Sequence, residues 1–348
     1  MSTFISSRSI SEATRLSIMN MQVRLAEAQK EVTTGRLADV GRSLGHRTGA
    51  VVTLRDDHAR LNAIIETNAG VQARLDVTQS ALESMVESGQ QLVSALIASR
   101  DSSTGPGVVT GEARNGLAAL IDAFNMTLGG AYVFAGINAD VRPLDQYFGT
   151  PQPASRQSVA SAFQAAFGFS QGDPAASGIS AADMQAFLDG PFAQLFEEPA
   201  WSTAWSQASS QNVRSRISTS ELLTTTVNVN ESAMRKLVRA YTMVADLGLE
   251  ALNEGAYETV VDTAIVTMGE ALQEISVLQA NLGATQQRIA QANDRMSIQI
   301  DIITKHIVAL EGVDPHEASI RVSTLLTQVE TSYALTARIE KLSLVNFL

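Results

Sequence analysis

Hydrophobic residues recur at alternating spacings of three and four in two long stretches of the chain, from Leu54 to Leu96 and from Val261 to Leu310. This spacing places apolar side chains along one face of an α-helix. One such face does not offset the conformational entropy lost in ordering its own helix, so we expect the two helices to pack against each other. The predicted contacts of this pair are Leu61, Leu75, Leu82, Ile275, Leu282 and Ile289. Three polar residues interrupt the pattern, and we interpret them as markers of the packing register or as solvent-facing breaks: Asn68, Gln299 and His306.

Shorter stretches with the same spacing lie near both ends of the chain. Pro315 separates the last of them from the preceding long helix, because proline disrupts a continuing helix. Isolated helices of this length are only marginally stable, so we expect the two ends to order against each other or against neighbouring molecules. The predicted assembly contacts are Ile18, Met21, Leu25 and Val32 near the N-terminus, and Val322, Leu326, Val329, Tyr333, Leu342, Leu344 and Phe347 near the C-terminus.

The middle of the chain differs in composition from both flanks. Twelve of the 18 aromatic residues lie between Tyr132 and Trp205, and six of the eight prolines lie between Pro143 and Pro199. This combination indicates a compact insertion. We expect it to have a small helical core formed by Phe163, Phe167, Phe187, Phe192 and Phe196. The alternative is that these rings are exposed and stack between subunits. Beyond the insertion, alternating apolar and polar residues predict one short β-hairpin around Val213, Ile217, Val227 and Val229.

Together these patterns predict a mainly α protein. We expect an elongated antiparallel helical bundle or coiled coil built from both termini, with a short β-hairpin and a small central insertion domain. Residues 1–40 with 312–348 are predicted to form a terminal coiled-coil assembly domain. Residues 41–145 with 206–311 are predicted to form a long-helix bundle that carries the hairpin, and residues 146–205 an aromatic-rich surface insertion.

Charge and composition exclude several classes of function. The chain has 25 basic and 36 acidic residues and a net charge of -11, so nucleic acid is not an expected partner. It has no cysteine, which excludes disulfides and thiolate chemistry. No stretch approaches the ~18 consecutive apolar residues of a membrane span, and we expect no membrane insertion. The first residues lack the features of a secretory signal peptide, so any export is expected to use another signal.

One segment, Gly41-Arg42-Ser43-Leu44-Gly45, matches the nucleophile elbow of serine hydrolases. That chemistry needs Ser43 on a turn from a strand into a helix, whereas the surrounding pattern is helical, so a turn between two helices is the favoured interpretation. The four histidines do not have the spacing of metal ligands. We therefore predict no catalytic residue, no metal site and no cofactor, and we keep a serine hydrolase using Ser43 as a competing hypothesis.

Several segments together resemble the flagellin superfamily. They are EVTTGRLADVGRSLG after the N-terminal helix, GGAYVFAGINADVRPL after the first long helix, and LTQVETSYALTARIEKLSLVNFL at the C-terminal end. The residues that match the family's T-G-[KR] turn and its Y-x-F-x-G signature are Thr34, Gly35, Arg36, Tyr132, Phe134 and Gly136. The resemblance covers roughly residues 1–145 and 206–348 and leaves out the aromatic insertion.

Within the superfamily the chain is most similar to the hook-associated proteins that join the flagellar hook to the filament. It lacks the S-S-G-x-R-[IL]-N-S-A pattern of filament flagellins and ends in Asn346-Phe347-Leu348, where they usually end in L-x-L-[LF]-[RG]. Filament flagellin is the alternative interpretation, and a coiled-coil adaptor is the third.

The resemblance implies an extracellular structural subunit at the hook-filament junction. Such a subunit is exported without a cleaved signal peptide, polymerises through its terminal helices and templates filament assembly. The implied partners are an adjacent hook-associated protein, flagellin, further copies of the chain, and the flagellar export apparatus with a chaperone.

Overall fold

The computed structural model describes the backbone of residues 7–101 and 105–345 and the side-chain environments of residues 12–100 and 105–338. The protein is about 75% helical, which confirms the predicted mainly α class. The α-helices of the described part are α1 (Ser7–Thr34), α2 (Val40–Leu44), α3 (Thr48–Asp101), α4 (Pro106–Phe124), α5 (Ala154–Phe167), α6 (Ala181–Phe187), α7 (Ala200–Ala204), α8 (Ser232–Asp246), α9 (Glu254–Glu311) and α10 (Pro315–Val345). The strands are β1 (Thr127–Leu128), β2 (Ala131–Tyr132), β3 (Arg214–Arg216) and β4 (Leu222–Thr224).

The chain divides into two compact units. The first, here called the terminal unit, contains Met1–Ala63 and Arg295–Leu348, and the second, the central unit, contains Ile64–Asp294. The two long helices, α3 and α9, contribute residues to both units. The terminal unit is therefore built from the two ends of the chain.

Helices α3 and α9 pack antiparallel in the central unit along the predicted faces. The amide of Gln79 donates to the carbonyl oxygen of Gln279 at 2.8 Å, and the amide of Gln286 donates to the carboxylate of Asp76 at 2.7 Å. The predicted contact residues in this unit are all buried: Leu75, Leu82, Ile275, Leu282 and Ile289. The sixth, Leu61, is buried in the terminal unit.

The polar residues in these two helices take both of the predicted roles. Asn68 is fully buried, and its amide donates to the side-chain oxygen of Asn293 at 2.7 Å and to the carbonyl oxygen of Ile217 at 2.9 Å. These bonds link α3 to α9 and to the residue that follows β3, so Asn68 fixes their register. Gln299 and His306 are exposed on α9 and are solvent-facing breaks.

The aromatic segment forms the predicted helical core, which lies within the central unit. Its rings contact one another in sequence, from Phe163 and Phe187, with centroids 5.6 Å apart, to Phe196 and Trp205, with centroids 4.9 Å apart. Four of the five predicted core residues are buried and Phe167 is half-buried; the buried ones are Phe163, Phe187, Phe192 and Phe196. The core interpretation is confirmed for the single chain.

Helix α8 anchors this aromatic core through its charged residues. Arg235 donates to the carbonyl oxygen of Phe196 at 2.9 Å, and Arg239 donates to that of Leu188 at 2.9 Å. At the end of α8 the Asp246 carboxylate accepts a hydrogen bond from the Tyr147 hydroxyl at 2.9 Å. Burial, and then the negative charge of Asp246, raises the pKa of Tyr147, so the phenol stays protonated in the folded protein.

The predicted hairpin exists, but its second strand lies elsewhere. Strand β3 pairs antiparallel with β4, and Arg216 lies opposite Leu222, so five residues connect the two strands. The prediction that Val227 and Val229 form the second strand is wrong. These two valines follow β4 in the chain and are buried. The backbone N–H of Val229 donates to the carbonyl oxygen of Phe134 at 3.0 Å, so the alternating segment extends past the hairpin and pairs there with a different part of the backbone.

A second hairpin, β1 with β2, is absent from the sequence-based prediction. Leu128 lies opposite Ala131, and the two residues between them are Gly129 and Gly130, with φ of +60° and +85°. Positive φ at both central positions is the requirement of the tightest hairpin turn, and adjacent glycines meet it without strain. The Gly-Gly pair was the available signal, but the strands are too short to show alternation.

Candidate assembly surface

The terminal unit contains an antiparallel pair formed by α1 and α10. The amide of Gln22 donates to the Tyr333 hydroxyl at 2.6 Å, and Arg321 pairs with Glu31 at 2.9 Å, so the two helices run in opposite directions. Among residues 12–34 and 315–338, whose side chains the structure describes, few apolar residues are buried, and they are Ile18, Ala28, Ala318 and Val329. The buried apolar contact between α1 and α10, here called the seam, is therefore small.

The T-G-R turn at the end of α1 docks on the break between α9 and α10. Gly35 has a φ of +67°, a conformation that glycine adopts without strain, and this turns the chain out of α1. Its carbonyl oxygen accepts from the N–H of Val313 at 3.0 Å, and the N–H of Leu37 donates to the carbonyl oxygen of Glu311 at 2.8 Å. The turn formed by Thr34, Gly35 and Arg36 is here called the corner, and in it Arg36 forms an isolated antiparallel β-bridge with Gly312.

Two buried carboxylates reinforce this corner. Glu31, which is 8% exposed, accepts from Arg321 at 2.9 Å and from the N–H of Ala38 at 3.2 Å. Glu311 is fully buried and pairs with Arg55 at 2.6 Å. The two arginines are about half exposed, but loss of either would leave a buried carboxylate without its cation, so these pairs favour a single arrangement of the corner.

The outer surface of the terminal unit is apolar to an unusual degree. Of the 19 large apolar residues exposed in the described part of the chain, 12 lie in this unit, which has only eight buried apolar residues. Contiguous exposed apolar surface marks sites of protein association, and several of these residues are three or four positions apart on one helix. The 12 residues are Leu16, Met19, Val23, Val32, Val52, Ile298, Ile302, Val308, Ile320, Leu326, Tyr333 and Leu335.

The predicted assembly contacts fall into three groups in the structure. Ile18 and Val329 are buried, and Met21, Leu25 and Val322 are half-buried. Val32, Leu326 and Tyr333 are 38%, 46% and 51% exposed, so in a single chain they remain open to further contacts. The side chains of Leu342 and Leu344, and the whole of Phe347, lie outside the described residues.

The prediction did not include several highly exposed members of this surface. Leu16, Met19 and Val23 form a second stripe on α1, also spaced by three and four residues, and they are 61%, 52% and 57% exposed. Ile298 and Ile302 form a similar pair on α9. A helix that is apolar on two faces was the signal in the sequence, because one face packs inside the chain and the other is left for a partner.

The Y-x-F-x-G segment is a structural element of the central unit. Phe134 is fully buried, Tyr132 is half-buried in β2, and Arg74 donates to the carbonyl oxygen of Tyr132 at 2.7 Å. Gly136 has a φ of +64°, and a Cβ at this position would lie 2.3 Å from the carbonyl oxygen of Ser209. The motif requires glycine there because two backbone segments approach each other too closely for any side chain.

The structure does not support catalytic chemistry at Ser43. This exposed residue lies in the five-residue helix α2, which follows the loop after α1, so the strand that a nucleophile elbow requires does not precede it. Asp39 caps α2 by accepting from the N–H of Arg42 at 2.9 Å, which is a structural role.

Within the described part of the chain, no three His, Asp or Glu side chains are grouped so that they could hold a metal ion. None of the described helices combines the length and apolarity needed to cross a bilayer.

Charge is distributed unequally between the two units. The terminal unit carries 14 Lys and Arg against 12 Asp and Glu, whereas the central unit carries 11 against 24. The apolar surface of the terminal unit is thus combined with near neutrality, which lowers the electrostatic cost of bringing copies together. The acidic balance of the whole chain comes from the central unit.

Comparisons with known proteins identify the family of the two flanks of the chain. The family model described as the bacterial flagellin N-terminal helical region matches residues 5–139, and the one described as the bacterial flagellin C-terminal helical region matches residues 265–348. Together the two matches cover well over half of the chain. No curated protein sequence gives a significant match. In fold the chain is similar to a structure from Vibrio parahaemolyticus, provisionally assigned as a flagellar hook-associated protein, with 9% identity, a TM-score of 0.52, and coverage of 76% of this chain and 96% of that one.

Proposed function

Because the chain belongs to the flagellin superfamily, whose members are structural proteins of the bacterial flagellum and not enzymes, we propose that it is the subunit that joins the flagellar hook to the filament. The superfamily implies a flagellar location exposed outside the cell. The departures from the filament flagellin pattern in the sequence favour the junction over the filament itself.

The observation that carries this proposal is the excess of exposed over buried large apolar residues in the terminal unit. A unit that leaves 12 large apolar side chains in water gains about 25 cal/mol for each Å² that a neighbouring copy covers. The terminal helices, residues 1–40 with 312–348, would thus form the polymerising coiled coil. One side of a ring of such subunits would bind an adjacent hook-associated protein, and the other would present the same type of surface to flagellin.

Antibody labelling of flagella tests where the protein lies. A junction subunit gives a single band of label where the hook meets the filament. Uniform label along the filament would instead identify the chain as a filament flagellin, and label confined to the cytoplasm would favour a coiled-coil adaptor.

Truncation tests how the subunit assembles. A chain without residues 1–33 and 316–348 is expected to stay monomeric while most of the helical circular dichroism signal per residue survives, because the central unit contains most of the buried core. Loss of nearly all helical signal on truncation would contradict the assignment of the ends to assembly.

A further inference from the structure

The insertion contains an open pocket of about 570 Å³ that has no part in the assembly surface. It lies between the end of α5, the 3₁₀ turn Pro174–Gly178 and α6, entirely within the central unit. Pockets of this volume suit small molecules. Asp183 is the one lining residue with a polar side chain, and backbone polar groups supply much of the remaining lining.

Three phenylalanine rings line one side of the pocket. The rings of Phe167 and Phe187 have centroids 5.3 Å apart and are tilted by 59°, and that of Phe169 lies 6.3 Å from Phe167. Phe167 and Phe169 are only half-buried, although the rest of the aromatic core is closed. The face of an aromatic ring attracts a cation placed within about 6 Å of its centroid, so tilted neighbouring rings can act on the same cation.

The charges around the pocket favour a cation. Asp183 is exposed, and its carboxylate accepts only a neutral donor in the structure, the hydroxyl of Ser180 at 2.7 Å. The carboxylate of Asp173 lies at the rim, where it accepts from the N–H of Ala175, another lining residue, at 2.9 Å. The single basic residue between positions 146 and 205 is Arg156, which pairs with Asp246.

The arginines of helix α8 have partners of their own outside the pocket lining. Arg239 donates to the carbonyl oxygen of Leu188, and Arg235 pairs with Glu197; neither lines the pocket. The lining therefore contains one carboxylate and three aromatic rings, and none of the lining residues is basic.

We propose that this pocket binds a small alkylated ammonium ion, with the trimethylammonium group of choline as the model ligand. The methyl groups contact the rings, and the positive charge lies between the ring faces and the Asp183 carboxylate. A neutral ligand of the same shape would gain nothing from the negative charge of that carboxylate, and an anion would be repelled by it. A lysine ammonium is more strongly hydrated than an alkylated one and gains less from the apolar walls.

Binding of choline to the full-length chain can be measured by saturation-transfer NMR on its methyl protons. The matched control ligand is 3,3-dimethylbutan-1-ol, in which a neutral tert-butyl group replaces trimethylammonium. We expect choline to bind about tenfold more tightly, which corresponds to about 1.4 kcal/mol for the charge. Equal affinity for the two ligands, or no saturation transfer to choline, would overturn the proposal.

Two substitutions locate the site. Asp183→Asn is expected to weaken choline binding about tenfold and to leave binding of the alcohol unchanged, whereas Asp189→Asn, which changes the net charge equally but not the lining, has no effect. Phe169→Leu keeps an apolar wall without the ring, and it should weaken choline binding severalfold while the circular dichroism spectrum is preserved. Equal losses in the Asp183 and Asp189 variants, or unchanged choline affinity in the Phe169 variant, would count against the pocket. Binding of a lysine peptide in place of choline would also refute the assignment.

Discussion

Replacing the outer apolar stripe of α1 tests the surface that we assign to assembly. Leu16, Met19 and Val23 are 61%, 52% and 57% exposed in the single chain. Complete burial of such a side chain contributes about 1.5 to 3 kcal/mol, so covering the exposed half of each contributes about 1 kcal/mol. Substituting all three with glutamine therefore removes about 3 kcal/mol per subunit and raises the critical concentration for assembly about 100-fold.

The assay is sedimentation of polymer over a range of protein concentrations, with a matched control. The control variant carries glutamine at Ile97, Val266 and Val277, which are 51%, 62% and 57% exposed but lie in the central unit. Glutamine has good helix propensity, and all six positions already face water, so neither variant should lose helical signal or thermal stability.

Two results would refute the reasoning. An unchanged critical concentration for the α1 variant would mean that its outer stripe stays in water after assembly. An equal increase in the control variant would mean that exposed apolar residues promote association wherever they lie, without a defined surface.

Three further predictions follow from individual features. Gly136→Ala should destabilise the central unit by about 3 kcal/mol in urea unfolding, because φ is positive there and the new Cβ would lie 2.3 Å from the carbonyl oxygen of Ser209. The control Gly129→Ala, with φ of +60° and open space around it, should cost only about 1 kcal/mol. Equal losses would show that the close contact at Gly136 does not affect stability. Stability should fall as pH rises above about 10, because the Tyr147 phenol ionises in the unfolded chain while its raised pKa keeps it neutral in the folded protein. Tyr147→Phe should therefore reduce the slope of the free energy of unfolding against pH in alkaline solution. An unchanged slope would contradict this. The critical concentration for assembly should fall severalfold between 0.01 and 0.15 M NaCl, because the Debye length falls from about 30 to about 8 Å and the repulsion between the acidic central units is screened. A critical concentration that increases with salt in sedimentation assays would argue against that repulsion.

The helical framework could be read from local sequence alone. Apolar spacing predicted α3 and α9 because a long helix repeats the same requirement every turn, and the helices extend one to seven residues beyond the ends of the two stretches. Pro315 marked the start of α10 because proline fits the first turn of a helix and disrupts its interior. The phenylalanines of the insertion likewise predicted their own core, since large rings gain most from mutual burial.

Tertiary structure decided what these local signals leave open. The spacing of Val227 and Val229 fits a hairpin strand, but the backbone that pairs with Val229 is that of Phe134, far away in the sequence. The choice between Asn68 as a register residue and as a solvent-facing break depended on whether Asn293 and Ile217 come within hydrogen-bond distance. Periodicity also does not state how many faces of a helix are covered, and α1 is apolar on two.

The sequence by itself predicted that this protein is helical and that both of its ends carry the same three-and-four spacing of apolar residues, and its lack of cysteine excluded thiol chemistry. Those conclusions depend on residue type and spacing, which act within a few turns of the chain. Only the folded structure separated the buried seam of the terminal unit from its exposed stripe, and only it brought Phe167, Phe169, Phe187 and Asp183 into one pocket. The physical reason is that burial and charge compensation are set by which distant segments meet, and no local pattern specifies that.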